Sequence, residues 1–431
     1  QVELIIQADP IGPDRVRCSL RSERRARTGR LLQTEHFEAI ILLGEPESIE
    51  PLIVAGMDDG GLDHDAIYRR FFHGPGFQVL RSAGGVSIGG LFAEACVNHK
   101  AIGYGLESVP LVLEAAFQAA GLHTMVVEGR MALPKSIHRV QLLNSVPDGQ
   151  ELDVVVLRRG DLYDVDVDGP SGPVMRLRGF EMIETGPLPD GDRFEEPEGG
   201  WSEAAVARIG GSAAGSGPQS WLPAEELAEI QARGTEKRRR DRRNGRIAGR
   251  LAVERMTGWD PHEFRIQSLS SGQPVVIGPD GESPVAVSIS HGPDGAVGLA
   301  LRGGRPGIDM ERVELRAPSF ARTWFTPDEM AMAGDEPRLQ TRIWCIKEAV
   351  LKALGTGMRL HPREIEVCSM RPRRAEVRLY GEAAQVHRAL GGGSIGVQLT
   401  ESSGVVIVLA VLSPGVEQFV EDNADERRHI G

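Results

Sequence analysis

Two acidic residues on one predicted strand, Asp309 and Glu311, have the types and the spacing that could bind a metal ion. They lie in the run Gly307-Ile308-Asp309-Met310-Glu311. On a strand, residues i and i+2 point to the same face, so the two carboxylates project together. They repel each other unless a cation joins them, and oxygen ligands of this kind suit Mg²⁺. Two acidic residues at this spacing are also common on a solvated strand edge, so the metal site remains one of two alternatives here.

A predicted helix about 35 residues further on carries a third carboxylate. On this helix Trp344, Glu348 and Lys352 recur every four residues and therefore share one face. The face offers an aromatic anchor, an acid and a cation, whereas the neighbouring Lys347 projects in another direction. The alternative interpretation of the helix alone is an ordinary glutamate–lysine surface pair.

Taken together, the two motifs resemble the 4′-phosphopantetheinyl transferase superfamily, whose pattern is G-[I/V]-D-x-E followed by W-x-x-K-E-A-x-x-K. Three further marks occur in the same order as in the family: the helix GRIAGRLAVERM, the turn SSGQP and the strand Val-Ser-Ile-Ser-His at 287–291. The resemblance covers roughly residues 220–413. Its length and the D-x-E form favour the two-half, pseudo-dimeric class over the short trimeric holo-carrier-protein synthases.

The resemblance implies transfer of phosphopantetheine from coenzyme A to a serine of an acyl carrier protein. It implies Mg²⁺ held by Asp309, Glu311 and Glu348. It also implies that Lys352 stabilises charge on the leaving phosphate and that Glu348 is a candidate base for the serine proton. The candidate contacts to coenzyme A are Lys237, Arg242, Ser290, His291, Lys347 and Lys352. For the basic run that contains Lys237 and Arg242, a solvated helix face is the competing explanation.

The overall composition limits the classes of function that the chain could have. The formal net charge is −12, which argues against general nucleic-acid binding. The four cysteines lie far apart without metal-ligand or disulfide spacing, as expected for a cytoplasmic protein. We find no apolar run of membrane-spanning length and no signal peptide, and we expect the sequence to be part of a longer chain.

The elements that must position these residues fall into three predicted segments and an α+β fold. Residues 1–45 alternate apolar and polar positions, and the rest of the segment 1–186 contains further predicted strands around one apolar helix. Residues 187–219 are acidic and then rich in Gly, Ala and Ser, which is typical of a flexible linker crossed by few contacts. Residues 220–431 form the α/β transferase domain.

The first segment resembles polyketide synthase dehydratase domains. The run Tyr68-Arg69-Arg70-Phe71-Phe72-His73-Gly74-Pro75-Gly76-Phe77 is similar to that family's Y-x-x-F…G-P-x-F segment. The run 110–121, PLVLEAAFQAAG, is similar to its h-P-x-L-L-D-A-A-h-Q helix. The fold implied is a double hotdog, a sheet wrapped around a helix, of which residues 1–45 would be the last strands of the first hotdog.

Two departures bear on a dehydratase activity. Glu114 occupies the position of the aspartate that protonates the leaving hydroxyl in the family. The family's histidine motif, H-x-x-x-G-x-x-x-x-P, does not occur in this chain. By motif position His73 is a helix-end residue beside a turn, and His123 is a core or surface residue.

The sequence therefore resembles the C-terminal part of a polyketide synthase-like megasynthase: a partial dehydratase hotdog, a linker and a phosphopantetheinyl transferase. In the first hypothesis the hotdog dehydrates β-hydroxyacyl intermediates held on a carrier. In the second it is a non-catalytic dimerisation and carrier-docking module, and only the transferase is active. Either hypothesis allows a homodimer through the hotdog.

Overall fold

The computed structural model divides the chain into two compact units, residues 1–49 and 50–431. The residues it describes are 2–25, 31–44, 49–52, 61–87, 89–98, 109–187, 204–210, 222–232, 235–269, 272–281, 285–292, 294–402 and 404–413.

The first unit is a three-stranded antiparallel sheet. Its strands are β1 (Val2–Gly12), β2 (Arg15–Arg25) and β3 (Leu31–Leu42), in spatial order β1-β2-β3. The register places Ile6 opposite Leu20, and Leu20 opposite Phe37. Because side chains alternate along a strand, the apolar residues collect on one face. The period-two pattern of the sequence is confirmed.

The second unit begins with a seven-stranded antiparallel sheet and its helix. The strands are β4 (Leu62–Asp63), β5 (Leu80–Ser87), β6 (Gly90–Cys96), β7 (Arg130–Leu142), β8 (Glu151–Arg159), β9 (Leu162–Gly169) and β10 (Gly172–Pro187), in spatial order β4-β5-β6-β8-β9-β10-β7. The helices are α1 (His64–Tyr68) and α2 (Val109–His123). We call this part, residues 61–187, the hotdog module.

Helix α2 packs across the sheet and forms the centre of the module. Its alanines at 115, 116, 119 and 120 are buried, so the helix backbone lies close to the strands. With the turn that follows, the segment Val109–Glu128 is long and apolar enough to cross a membrane, which the sequence analysis did not anticipate. Because most of it is buried inside the protein, it is the core helix of the module. His123, at its end, is fully buried and bonds the Ser87 carbonyl, so it is a core residue.

The remaining part of the second unit, residues 204–413, is the C-terminal module, and it consists of two halves. The first half contains β11 (Ala204–Gly210), α3 (Ala224–Ala232), α4 (Glu236–Thr257), β12 (Arg265–Ser268), β13 (Pro274–Ile277), β14 (Ala286–Gly292) and β15 (Gly295–Leu301). The second half contains β16 (Arg305–Arg312), α5 (Pro318–Trp324), α6 (Pro327–Ala333), α7 (Pro337–Ala353), β17 (Ile365–Met370), β18 (Ala375–Leu379), α8 (Gly381–Ala389), β19 (Ile395–Ser402) and β20 (Val405–Leu412).

The two halves repeat one arrangement. In each, the first strand pairs with the last: β11 with β15, and β16 with β20. In each, the last two strands form a hairpin, β14–β15 or β19–β20, against which the long helix α4 or α7 packs. The α+β class and the pseudo-dimeric fold of this module are confirmed.

Strand β11 corrects one expectation about the predicted linker, residues 187–219. Of that segment the structure describes only Pro187 and Ala204–Gly210, and the latter pairs with β15 along seven positions. Its small side chains, in acidic and glycine-rich surroundings, gave no strand signal. Ala207 and Ile209 are nevertheless buried against the first half. The ordered transferase module thus starts at least sixteen residues before position 220.

The two modules of the second unit are joined by a buried network of charges, where few contacts were expected. Strand β9 carries Asp166 and Asp168 on one face, both buried. Arg373, in the turn between β17 and β18, lies with its Nη2 3.7 Å from Asp166 and its Nε 3.4 Å from Asp168. Its backbone N–H donates to Asp153 at 2.8 Å, and Nη2 donates to the Leu52 carbonyl at 2.6 Å. The turn is therefore anchored in the hotdog module.

The anchor predicts that Arg373→Ala destabilises the whole second unit. Asp166 and Asp168 keep their ion pairs with Arg176 and Arg178 in this variant, so we expect a loss of about 3 kcal/mol in the free energy of unfolding, the lower end for a broken buried ion network. Arg371→Ala is the matched control, because Arg371 is 46% exposed and its ion pairs with Glu94 and Glu151 lie near the surface. Its cost should stay within about 1 kcal/mol. Urea unfolding of the full chain measures both, and equal effects would contradict the anchor.

Candidate functional site

The position of the acidic strand β16 is determined by its contact with the backbone of helix α7. A Cβ atom on Gly307 would lie 1.9 Å from the Ala349 carbonyl oxygen and 2.7 Å from the Ala353 nitrogen. Only glycine permits so close an approach of strand and helix. Two residues after this contact Asp309 faces Lys352, which lies on the adjacent turn of α7. Gly307 therefore allows the predicted site residues of β16 and those of α7 to lie close together.

Asp309 is the centre of the candidate site. It is buried, and its Oδ1 accepts hydrogen bonds from Lys352 Nζ at 2.8 Å and from Ser290 Oγ at 2.9 Å. Lys352 also donates to the Ile308 carbonyl at 2.9 Å. Burial acts to lower the pKa of Lys352, but the charge and hydrogen bond of Asp309 outweigh it and raise that pKa. Lys352 is therefore firmly cationic.

Glu348 and Glu311 complete the group of carboxylates. Burial, and then the negative charge of Asp309, raise the pKa of Glu348 to about 7, against the opposing effect of Lys352. The same two causes raise the pKa of Glu311. The three acids therefore repel one another at close range, as predicted for residues that share one site.

Arg316 pairs with Glu311, a contact that the sequence analysis missed. Its guanidinium lies 3.1 Å from Glu311 Oε2 and 4.5 Å from the centre of the Phe320 ring. Arg316 lies in the irregular connection between β16 and α5, where no periodic pattern links it to the acidic strand. It partly offsets the repulsion that raises the pKa of Glu311.

Ser290 and His291 come from β14, in the other half of the C-terminal module. Ser290 is buried against Asp309, and Ser288, two residues earlier on the same face, accepts the Ile308 N–H at 3.0 Å. The site is therefore built at the junction of the two halves. The role of Ser288 was missed, although its period-two relation to Ser290 was a usable signal. Burial, and then the charge of Lys352, lower the pKa of His291.

The basic helix α4 contributes less than its charge density indicates. Arg242 is exposed and close enough to His291 to lower that residue's pKa, and Lys237 is exposed on the first turn. Arg250, by contrast, is fully buried in an ion pair with Glu226 at 2.7 Å. The competing prediction of a solvated helix face is therefore wrong for Arg250, whereas coenzyme binding by Lys237 and Arg242 stays a prediction.

The structure does not bring Lys347 to the site, which corrects its assignment as a coenzyme contact. Its side chain is fully buried, and Nζ lies 2.8 Å from Glu329 Oε2 and 2.9 Å from the Pro362 carbonyl. With no exposed atom, Lys347 cannot reach a bound coenzyme. Its ion pair instead joins α7 to α6, because Lys347 projects from a different face of the helix than Lys352.

The donor chemistry of the site fits a divalent cation. Among the described residues, no three His, Cys, Asp or Glu side chains converge as they stand to hold a metal ion. Asp309 Oδ2, however, is buried and has no hydrogen-bond partner in the described part of the chain. It adjoins Glu311 and Glu348, whose pKa values are raised first by burial and then by the negative charge of Asp309. Carboxylate oxygens are the ligands that Mg²⁺ prefers.

Comparisons with known proteins agree with this site. The model of the 4′-phosphopantetheinyl transferase superfamily matches residues 305–399, from β16 into β19. A holo-[acyl-carrier-protein] synthase of Moorella thermoacetica is 35% identical over 108 residues, which are 24% of this chain and 84% of that protein. One of Geobacter sp. is 29% identical over 93 residues, covering 20% of this chain and 74% of that protein. The chain belongs to the 4′-phosphopantetheinyl transferase superfamily. It is a transferase, as the motifs predicted.

Similar solved structures are dehydratase domains. The domain from the CurF module of curacin polyketide synthase is 15% identical, with a TM-score of 0.34, over 43% of this chain and 68% of that one. The dehydratase domain of the polyketide PpsC from Mycobacterium tuberculosis is 21% identical, with a TM-score of 0.33, over 42% of this chain and 68% of that one.

The raised pKa of Glu348 predicts a pH dependence of stability in the metal-free protein. Because the folded-state pKa rises from 4.5 to about 7, the folded protein binds this proton more tightly than the unfolded chain. The resulting stability is complete below about pH 4.5 and is lost as pH rises through 7, a change of about 3 kcal/mol.

Melting temperatures of the wild type and Glu348→Gln in a chelator, between pH 4.5 and pH 8, measure this effect. The variant should lose less stability over that range, and Glu382→Gln, at an exposed position on α8, should behave as the wild type. Parallel curves for the wild type and Glu348→Gln would show that Glu348 is not part of a repelling group.

Proposed function

We propose that this chain transfers 4′-phosphopantetheine from coenzyme A to a serine of an acyl carrier protein, in a reaction that requires Mg²⁺. The observation that carries the proposal is the group Asp309, Glu311, Glu348 and Lys352, brought together on β16 and α7. A transferase of this superfamily must neutralise a pyrophosphate and accept a hydroxyl proton. The group contains a cation, a buried acid with a free oxygen and a carboxyl that titrates near neutrality.

The residues of the group have different roles, which depend on their surroundings. Asp309, Glu311 and Glu348 would hold the cation, which when bound neutralises charge on the pyrophosphate. Lys352 remains protonated throughout and supplies a fixed positive charge beside Asp309, where it stabilises charge that develops on the leaving phosphate. Ser290 donates to the same Asp309 oxygen, Oδ1, as Lys352 does, so Oδ2 is left for the cation.

Glu348 is the residue of the group best suited to accept the serine proton. Its pKa of about 7 holds for the metal-free protein, and a bound cation would lower it, so the assignment rests on the position of Glu348 and not on that pKa. A carboxylate on helix α7, half-buried beside Lys352, is also accessible to a partner that approaches from solvent. Arg242 and His291 border the same site and would contact the phosphates of the coenzyme.

For the hotdog module the anchored turn favours a scaffold role. Arg373 buries its charge in the sheet of that module, so the second half of the transferase is held by it directly. We infer that the module fixes the transferase relative to a carrier that shares the same polypeptide or complex.

The proposed transfer is tested with the full chain, coenzyme A, Mg²⁺ and an acyl carrier protein, with the carrier analysed by mass spectrometry. Asp309→Ala should abolish the adduct, and Lys352→Ala should lower kcat by roughly 10²–10³ at saturating coenzyme A. Lys135→Ala, on strand β7 of the hotdog module, is the matched lysine control and should be silent. Near wild-type transfer by Asp309→Ala at limiting Mg²⁺ would refute its role.

Lys347→Ala separates catalysis from folding. Because it leaves Glu329 buried without its partner, the variant should unfold more readily, while the folded fraction keeps its turnover. A loss of turnover in fully folded Lys347→Ala that exceeds that of Lys352→Ala would contradict the orientation of α7.

A further inference from the structure

Helix α7, which carries Glu348 and Lys352, is also bonded to the turn that Arg373 anchors in the hotdog module. We call this turn, residues 371–374 between β17 and β18, the anchored turn. Arg342 of α7 donates from Nη2 to the carbonyls of the first two residues of the turn, one of them at 3.3 Å. Because Arg373 is the next residue, the hotdog module and α7 hold the same short piece of backbone.

Arg342 is a buried cation, only 5% exposed. An arginine stays charged when it is buried, so the protein must compensate its charge. Burial, and then the positive charge of Arg338, lower the pKa of Arg342. Three acids oppose this effect, namely Glu401, Asp168 and Asp153. The last two belong to β9 and β8 of the hotdog module. Arg342 is therefore linked to that module by electrostatics as well as through the turn.

The anchored turn also contacts the sheet that carries Asp309. The Arg373 carbonyl accepts the Leu399 N–H at 2.8 Å, and Arg373 Nη1 donates to Thr400 Oγ1 at 2.6 Å. Leu399 and Thr400 belong to β19, which pairs with β20, and β20 pairs with β16, the strand of Asp309. The turn is thus bonded on one side to α7 and on the other to the sheet of the acidic strand.

On the hotdog side the anchored turn is held by Asp153 of β8. This buried carboxylate accepts the Arg373 N–H at 2.8 Å through Oδ2, and its Oδ1 lies 4.0 Å from Arg374 Nη2. Arg374 also pairs with Glu94 of β6. Asp153 therefore fixes the turn from a module that contains none of the candidate transferase residues.

We propose that Arg342 is a positioning residue for phosphopantetheine transfer, through which the hotdog module sets the placement of α7 against β16. The effect on turnover rests on the proposed function. About 15 Å of continuous helix separates Arg342 from Lys352, so a tilt of α7 at the turn moves the lysine relative to Asp309. A displacement of 1 Å can cost roughly 10²-fold in rate. The hotdog module is thus required for turnover, beyond holding the transferase near a carrier.

The test compares Arg342→Ala with Asp153→Ala in the full chain, with coenzyme A, Mg²⁺ and an acyl carrier protein, below the unfolding transition of each variant. One substitution removes the link on α7, and the other removes the anchor in the hotdog module. Each should lower kcat roughly 10–100-fold with a change of less than about threefold in KM for coenzyme A, because neither residue is among the candidate coenzyme contacts.

Val154→Ala is the matched control for a general loss of stability. Val154 is the next residue on β8 and projects from the opposite face of the strand into the core of the hotdog module. The substitution weakens that core without removing the anchor of the turn, so kcat should stay at the wild-type value. A loss of kcat in Val154→Ala equal to that in Asp153→Ala would contradict the proposal.

The double variant Arg342→Ala/Asp153→Ala distinguishes one shared path from two separate effects. If both residues act through the anchored turn, its kcat should equal that of the more impaired single variant. If the two losses in kcat multiply, the common path through the turn is refuted.

Hydrogen–deuterium exchange of the α7 amides, without coenzyme, gives a readout that does not depend on turnover. At times short relative to global unfolding, Asp153→Ala should increase exchange in α7, and Val154→Ala should not. If exchange responds in this way but the wild type modifies no carrier, the proposed transferase function fails and the positional link stands. If the wild type modifies the carrier and both single variants do so at the wild-type kcat, Arg342 is not a positioning residue.

Discussion

The contact between the backbones of β16 and α7 at Gly307 is the constraint on which the transferase site depends. With no side chain between them, strand and helix lie close enough for Lys352 on one to reach Asp309 on the other. The first half of the module has a similar close contact between strand and helix, since a Cβ on Gly298 of β15 would lie 2.5 Å from the Ala248 carbonyl oxygen in α4. Both long helices thus contact a strand at a glycine, although Gly307 is on the first strand of its half and Gly298 on the last strand of its half.

Electrostatics within the site balance attraction against repulsion. Three acids share the region with Lys352 and Arg316, and burial together with the charge of Asp309 raises the pKa values of Glu311 and Glu348 against the opposing effect of these two cations. The pair formed by Lys347 and Glu329 is different, because it is closed to solvent and joins two helices. Lys347 thus has a structural role, whereas Glu348 and Lys352 belong to the candidate site, because these residues project from different faces of α7.

The core of the site could be predicted from sequence because it depends on the spacing of residues within one strand and one helix. The i, i+2 spacing of Asp309 and Glu311 and the i, i+4 spacing of Glu348 and Lys352 each specify a face. Contacts between distant segments could not be predicted in this way. The acids of β9 alternate with valines as an ordinary strand would, and nothing local shows that Arg373 meets them. The contact between His73 and Glu114 could not be predicted for the same reason, since the two residues are 41 positions apart on different elements.

The burial of Arg373 among the acids of β9 has a consequence for the synthesis of the protein. Arg373 and Asp153, which its backbone contacts, are separated by 220 residues in the chain. At typical rates of translation the ribosome needs roughly 10–40 s to pass from one to the other. During this interval the hotdog sheet emerges with one arginine missing from its acidic face. The negative charge of the acids on β9 therefore remains only partly neutralised until the second half of the transferase has left the ribosome.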